Sequence, residues 1–353
     1  MNKTLANLVL IFISLAITLV MVEIILRFVP LPMLDRIRAN QNVSQQIDEV
    51  HPKGLYVLHP EIGWTLSPGF AGNFKKDDFN IQVKANSKGH RDKDYGIKVA
   101  GVHRILGLGD SFAFGWGVEN ESGFLKQMEE QINTGLSLDR YEIINGGIPG
   151  FGTYEALQFL KSIGVGYHPD LVLVAFYEGN DYKNNIEAPR QRIIRDGFLS
   201  EVKKENSKLQ DFLIKKSVLY AFLHKAFENL SQKRIFRVGL ERTKQYLLEM
   251  KSVLGDAPLV FVLIPDQDPE FYDRHSMLRK YDRWIMGTDL FSARKELELF
   301  CRENGIYFYQ LSPKFENNTA YILKDTHLNE EGHKAASLEI IQYLNQEKLI
   351  PSI

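Results

Sequence analysis

Ser111, His327 and Asp325 supply a hydroxyl, an imidazole and a carboxylate, the three groups from which nucleophilic acyl chemistry is assembled. A serine hydroxyl attacks poorly until a neighbouring imidazole takes its proton. A carboxylate on the other ring nitrogen sets the tautomer and stabilises the imidazolium. In Asp325-Thr326-His327-Leu328-Asn329 the acid and the base stand two apart on a polar loop. That spacing lets the carboxylate accept from Nδ1 of its neighbour while Nε2 points away toward Ser111. Attack on a carbonyl also needs donors for the developing oxyanion. The Ser111 N–H is one candidate. The turn Asn145-Gly146-Gly147-Ile148-Pro149-Gly150 can present a backbone N–H without side-chain obstruction, though its glycines could all be turn requirements, and Gly179-Asn180-Asp181 offers the Asn180 carboxamide. Asp181 is expected to cap the helix that follows while Asn180 faces the site. Taken singly, each stretch is also an ordinary turn or cap. Their order along the chain is what favours chemistry.

The elements that must carry these residues are legible in the hydropathy rhythm. From His103 onward, short apolar runs alternate with amphipathic segments. The runs Arg104–Leu108, Tyr141–Ile144, Leu171–Phe176, Leu259–Ile264 and Ile306–Leu311 suit strands buried on both faces of a parallel sheet. Helices are expected over about 122–132, from Thr153 as N-cap to Gly164, over 292–304 and over about 331–346. Strand–helix alternation predicts a three-layer α/β fold. Each chemistry-bearing turn follows a predicted strand, so one parallel sheet delivers all of them to the same edge. Between Asp181 and Pro258 the chain is longer than a crossover needs. Two apolar stripes there, Leu209 to Leu230 and Leu240 to Leu254, predict a helical hairpin packed on the sheet, with a lid as the sharper reading.

Upstream, Leu5 to Leu26 is almost wholly apolar and long enough to cross a hydrocarbon core of ~30 Å as one helix. Asn7 and Glu23 lie near its ends, where water or headgroups can solvate them. No small-x-small cleavage site follows, so an uncleaved anchor is favoured over a signal peptide. Residues 1–30 are thus expected to anchor the chain, 31–100 to form an irregular, partly β lead-in, and 101–353 to form the α/β domain, with the helical insertion at about 187–256. The 353 residues carry a formal net charge of −1 and no long basic run, which argues against a nucleic-acid binder. Cys301 is the only cysteine, so no intrachain disulfide and no thiolate-rich metal site can form. No metal-ligand motif stands out, and neither a metal nor another cofactor is expected.

With those four blocks in view, the chain resembles the SGNH/GDSL hydrolases. The match rests on Gly109-Asp110-Ser111, the Gly150 turn, Gly179-Asn180-Asp181 and Asp325-x-His327, in order from Arg104 to about His333. Asn86-Ser87-Lys88-Gly89-His90-Arg91-Asp92 is similar to the lead-in of membrane-anchored bacterial members. The resemblance implies a flavodoxin-like sheet and hydrolysis of an O-acyl ester, O-acetyl esters of glycans included. It implies Ser111 as nucleophile, His327 as base with Asp325, and Ser111, Gly150 and Asn180 as oxyanion donors, Gly150 by its position in the matching block and with Gly147 as the fallback. Two features depart from the pattern. One residue rather than two separates Asp325 from His327, a spacing similar to the alginate-type O-acetylation proteins, so acyl transfer to an envelope glycan is the alternative activity. Glu178 stands where many members have a small residue, and either lines the site or faces solvent. An anchored binding module without activity is the third reading. The resemblance favours an extracytoplasmic domain on a single-pass anchor, whereas Arg27, Arg36 and Arg38 against Lys3 lean toward the cytoplasm.

Overall fold

The computed structural model describes residues 3–29, 51–76, 78–134, 140–202, 207–265, 290–312, 320–322, 325 and 327–350. These residues group into two compact units. One holds residues 3–29 and 207–234, and the other holds 51–202, 235–265 and 290–350.

The larger unit begins with two antiparallel hairpins. The first pairs β1 (Tyr56–His59) with β2 (Gly63–Leu66), and the second pairs β3 (Ala71–Lys76) with β4 (Phe79–Lys84). The alternation of Phe79, Ile81 and Val83 predicted a strand here, and Ile81 and Val83 do turn inward.

The main sheet follows. It comprises β5 (Val102–Gly109), β6 (Arg140–Gly147), β7 (Leu171–Tyr177), β10 (Leu259–Ile264) and β11 (Tyr307–Gln310). All its pairings are parallel and the spatial order is β11-β10-β7-β5-β6. In chain order this is the 2-1-3-4-5 arrangement of flavodoxin-like sheets. Every residue of β7 and β10 is buried, which is why those strands read as unbroken apolar runs.

Helices of the larger unit cover both faces of the sheet. In chain order, α1 is Lys3–Phe28, α2 is Ser111–Phe114, α3 is Phe124–Thr134, α4 is Thr153–Ser162, α5 is Asp181–Glu187, α6 is Lys208–Lys216, α7 is Val218–Leu254, α8 is Leu290–Glu303 and α9 is Glu330–Gln346. On one face, Leu157 and Leu160 of α4, Leu240 and Leu247 of α7 and Leu297 and Cys301 of α8 pack on Leu106, Val174 and Phe261. On the other, Met128 and Ile132 of α3 and Ile340 and Leu344 of α9 pack on Ile105, Leu173 and Val260. The two apolar clusters make the three layers.

Three local expectations are corrected. The N-cap of α4 is Gly152, whose N–H is taken by the Glu155 carboxylate at 3.0 Å, and Thr153 is already helical. The segment after α5 holds a third hairpin, β8 (Arg192–Arg195) with β9 (Phe198–Glu201). Its turn puts Asp196 and Gly197 at φ +54° and +89°, so an Asp-Gly turn signal lay unread in the sequence. Among the described residues of the insertion, it is the second apolar stripe, with Leu240, Leu247 and Met250, that joins the sheet's core. Leu209, Phe212 and Leu223 of the first stripe are exposed and belong to the other unit.

In that smaller unit, α1 includes an apolar segment, Asn7–Phe28, long enough to cross a membrane. Its length and composition are shared by membrane spans and export signals.

Candidate functional site

Gly109 closes β5 at φ +150°, and a Cβ there would lie 2.6 Å from the Ala175 carbonyl oxygen. The residue must therefore be glycine for the chain to leave the sheet beside β7. Asp110 then caps α2, its Oδ1 accepting the Phe112 N–H at 2.9 Å. Ser111, the first residue of α2, is 7% exposed and stands at the carboxyl edge of the sheet.

Tyr321 and Leu328 form an antiparallel bridge, and the Ile322 N–H donates to the His327 carbonyl at 2.9 Å. The loop between them presents Asp325 and His327. Asp325 Oδ1 accepts the His327 backbone N–H at 3.1 Å and faces its ring Nδ1 at 2.5 Å. The one-residue spacing thus closes a tight turn in which a single carboxylate oxygen holds both groups of the same histidine. His327 Nε2 lies 2.7 Å from Ser111 Oγ.

Around this line the protein adds two donors that the sequence reading missed. Asp325 Oδ2 accepts the Trp116 indole N–H at 3.3 Å and faces Lys76 Nζ at 3.5 Å. The Trp116 ring also stacks on the His327 imidazole, with centroids 4.8 Å apart and planes at 21°. Burial opposes ionisation of Asp325, but the His327 N–H groups and charge and the Lys76 charge outweigh it and hold the carboxyl well below the usual range. Lys76 comes from the lead-in hairpin and Trp116 from just beyond α2. Neither had a spacing signal, because each meets Asp325 only through the fold.

The lead-in block Asn86 to Asp92 is the frame behind the turn. Buried Arg91 donates to the carbonyls of Phe114, Gly115, Val118 and Gln82, clasping the chain just after α2. Asp92 Oδ2 accepts the Asn145 N–H of β6 at 2.8 Å. His90 lies between the Asn145 carbonyl and the Tyr167 hydroxyl, and burial chiefly holds its imidazole down at about 4.

The structure places the other predicted residues as follows. Gly150 follows β6 at φ +82°, and its carbonyl accepts an Arg190 N–H at 2.6 Å. Neither the Ser111 nor the Gly150 N–H has a partner among the described residues. The fallback, Gly147, is spent, because its N–H donates to Asn145 Oδ1 at 2.9 Å. Asn180 Nδ2 donates to Asp110 Oδ2 at 3.3 Å, which aims the amide along the same edge and leaves its second N–H for a ligand. Asp181 does not cap α5, since Asn180 occupies the cap position. Instead Asp181 Oδ2 accepts the Tyr177 N–H at 3.0 Å and closes the turn after β7. Burial and the nearby Asp110 charge hold the Asp181 carboxyl well above its usual range, and burial raises Asp110 as well. Glu178 neither lines the site nor faces solvent. It is buried and paired with Arg294, whose Nε lies 2.8 Å from Oε2.

His333 is a packing residue of α9. Its Nδ1 accepts the Phe124 N–H at 3.2 Å and its ring stacks on Phe124. Burial, then the charges of His327 and Arg91, hold this imidazole down at about 3. The unfolded chain takes up that proton near pH 6.5, so stability rises with pH between about 3 and 6.5 and falls on acidification. His333→Asn keeps an acceptor and removes the titration. Measured by urea unfolding, the wild type should lose about 2 kcal/mol more than His333→Asn between pH 6.5 and pH 4.5. Parallel losses would mean that His333 titrates normally.

Among the described residues, no group of three or more His, Cys, Asp or Glu side chains is arranged to hold a metal ion.

No curated protein matches the chain. Solved structures with similarity include the lipase/acylhydrolase from Enterococcus faecalis, at 14% identity over 69% of this chain and 96% of that one, TM-score 0.39. The acetyl xylan esterase AlAXEase matches at 16% identity over 68% and 98%, TM-score 0.40. The psychrotrophic esterase EstA from Pseudoalteromonas sp. matches at 14% identity over 69% and 97%, TM-score 0.39. The sequence model of the GDSL-like lipase/acylhydrolase family, whose members are ester-hydrolysing enzymes, matches residues 108–335, from the end of β5 into α9 and well over half of the chain. The chain belongs to the GDSL-like lipase/acylhydrolase family.

Proposed function

We propose that this protein is a serine esterase that hydrolyses O-acyl esters, O-acetyl esters among them, with Ser111, His327 and Asp325 as its reacting line. The observation that carries the reading is His327 spanning the two others, Nε2 at 2.7 Å from Ser111 Oγ and Nδ1 at 2.5 Å from Asp325. His327 takes the serine proton as Oγ bonds to the ester carbonyl carbon. The oxyanion that forms is held by the N–H groups of Ser111 and Gly150 and by the Asn180 amide. On collapse the C–O bond to the alcohol breaks and His327 returns the proton to the leaving oxygen. A water molecule then attacks the acyl-serine by the same route, giving the acid and free Ser111. The reaction needs no metal and no other cofactor.

Incubation with a fluorophosphonate probe should label the protein at Ser111 alone, and labelling should be lost in His327→Ala. An unlabelled wild type would favour the binding-module reading. Removing one oxyanion donor raises the barrier without disturbing the line of proton transfer. Asn180→Ala should therefore lower kcat for p-nitrophenyl acetate by about 10²- to 10³-fold with KM little changed. Unchanged kcat would remove Asn180 from the oxyanion site.

The one-residue spacing of Asp325 and His327 supports a second reading, acyl transfer to a sugar hydroxyl in place of water. Product analysis with and without an oligosaccharide acceptor separates the two. We further infer that α1 anchors the chain as a single pass, with the larger unit outside the cytoplasm. A reporter fused after Ile353 that is active only in the cytoplasm would reverse that orientation.

A further inference from the structure

The smaller unit contains one polar knot. Glu23 lies in α1, five residues before that helix ends at Phe28. Its carboxylate accepts the Ser217 hydroxyl at 2.9 Å, the Val218 N–H at 3.0 Å and the Leu219 N–H at 2.9 Å. A side chain of α1 therefore caps the first turn of α7. Arg27, one turn further along α1, donates Nε to Glu23 Oε1 at 2.9 Å and an Nη2 hydrogen to the carbonyl of Lys216, the last residue of α6, at 2.8 Å. Water or headgroups were expected to solvate Glu23, and the α6–α7 junction does so instead.

This contact ties the depth of the junction to the depth of α1. With a rise of 1.5 Å per residue, Glu23 sits about 7 Å short of the end of the apolar span. A carboxylate there is costly unless it is paired. The N–H groups of α7, the Ser217 hydroxyl and Arg27 supply that pairing. The junction must therefore lie about 7 Å inside the edge of the span. Amphipathic helices in a bilayer interface bury their apolar faces to ~5–10 Å with lysines on the polar side, which is the same depth.

The apolar side chains around the junction suit that depth. Leu209 and Phe212, three apart and so on one face of α6, are 66% and 57% exposed. Leu223 of α7 is 56% exposed. Lys215 and Lys216, beside the junction, are exposed as well. Large apolar side chains left to water on either side of one junction mark a surface that something covers. Here the covering medium is the one α1 already occupies.

We propose that α6 and the first turns of α7 form a second membrane contact, lying in the lipid interface beside α1. Leu209, Phe212 and Leu223 enter the acyl region, while Lys216, seven residues on from Leu209 and so on the same face, and its neighbour Lys215 reach back to the headgroups along their apolar stems. This rests on α1 being a retained membrane anchor. Lys215 and Lys216 also favour an anionic leaflet.

The test uses the full chain in vesicles of phosphatidylcholine with phosphatidylglycerol. An environment-sensitive nitrobenzoxadiazole dye is attached in Phe212→Cys and in Leu223→Cys. Ile13→Cys reports the span and Thr134→Cys, exposed on α3, is the aqueous reference. The native Cys301 is fully buried and escapes labelling. Dyes at 212 and 223 should be blue-shifted and quenched several-fold more by doxyl-labelled lipid than the dye at 134. If the dye at 13 is quenched while those at 212 and 223 behave like the one at 134, the interfacial contact is wrong and the anchor stands. Shielding of 212 and 223 from aqueous iodide without doxyl quenching would mean that a second copy or another protein covers the face, which also overturns the proposal. If the dye at 13 escapes doxyl quenching and the protein does not float with the vesicles, the anchor fails and the contact falls with it.

Discussion

Ser111→Ala should abolish hydrolysis of p-nitrophenyl acetate to within the background of the folded protein, a fall in kcat of about 10⁴-fold or more. The hydroxyl is the one atom that can bond to the acyl carbon in the proposed mechanism, and its Oγ stands 2.7 Å from the imidazole that would deprotonate it. Nothing else at the site substitutes for it. Asp110 is used by the Phe112 N–H and the Asn180 amide, and Cys301 is buried in the apolar core. The substitution removes a single oxygen at a helix start, so the urea midpoint should stay close to that of the wild type. Stopped-flow turnover and an unfolding curve on the same preparation read both quantities. A variant that folds and keeps full activity would end the serine mechanism.

Asp325→Asn should be nearly as severe, about 10⁴-fold in kcat, for a reason particular to this structure. One oxygen of Asp325 faces His327 Nδ1 and the other faces two donors, the Trp116 indole N–H at 3.3 Å and Lys76 Nζ at 3.5 Å. An asparagine has one acceptor and one donor group. Its NH₂ meets two donors, one of them charged, if it faces Trp116 and Lys76, and only the His327 backbone N–H if it faces the histidine, so the amide oxygen turns to Trp116 and Lys76 and the NH₂ turns to the imidazole. His327 then accepts at Nδ1 and carries its proton on Nε2, the tautomer that cannot take a proton from Ser111. Nitrogen NMR of the ring should show the protonated site moving from Nδ1 to Nε2, alongside the loss of turnover. Loss of activity with the tautomer unchanged would mean that the negative charge, and not the orientation, is what the variant removes. In the wild type the carboxyl is held well below its usual range, so Asp325 stays ionised across neutral and mildly acidic pH and contributes no titration there.

Contacts between sequence neighbours were largely readable before any coordinates. Parallel strands buried on both faces cannot alternate apolar with polar residues, so β5, β7 and β10 stood out as short unbroken runs. Asp325 and His327 are covalent near-neighbours, and a two-residue step brings carboxylate and imidazole into reach whatever the remainder of the fold does. Other local features were misjudged because alternatives of similar energy compete at turns. Asp181 bonds back to the Tyr177 N–H rather than capping α5, and the Asp196-Gly197 turn closes a hairpin that the apolar stripes nearby obscured.

By itself, then, the sequence determined the α/β alternation, the order of the strands along the chain and the residue types able to do acyl chemistry, since each depends on composition and short-range spacing. Strand order within the sheet came only through the resemblance, which implied the flavodoxin-like 2-1-3-4-5 sheet, and the tertiary structure alone decided which distant donors surround Asp325. Lys76 and Trp116 reach Asp325 across 249 and 209 residues, and Glu23 reaches Ser217 across 194. Such pairs meet only after the elements that carry them have packed together, and no periodicity in the chain records which distant donor will fill a carboxylate's second oxygen.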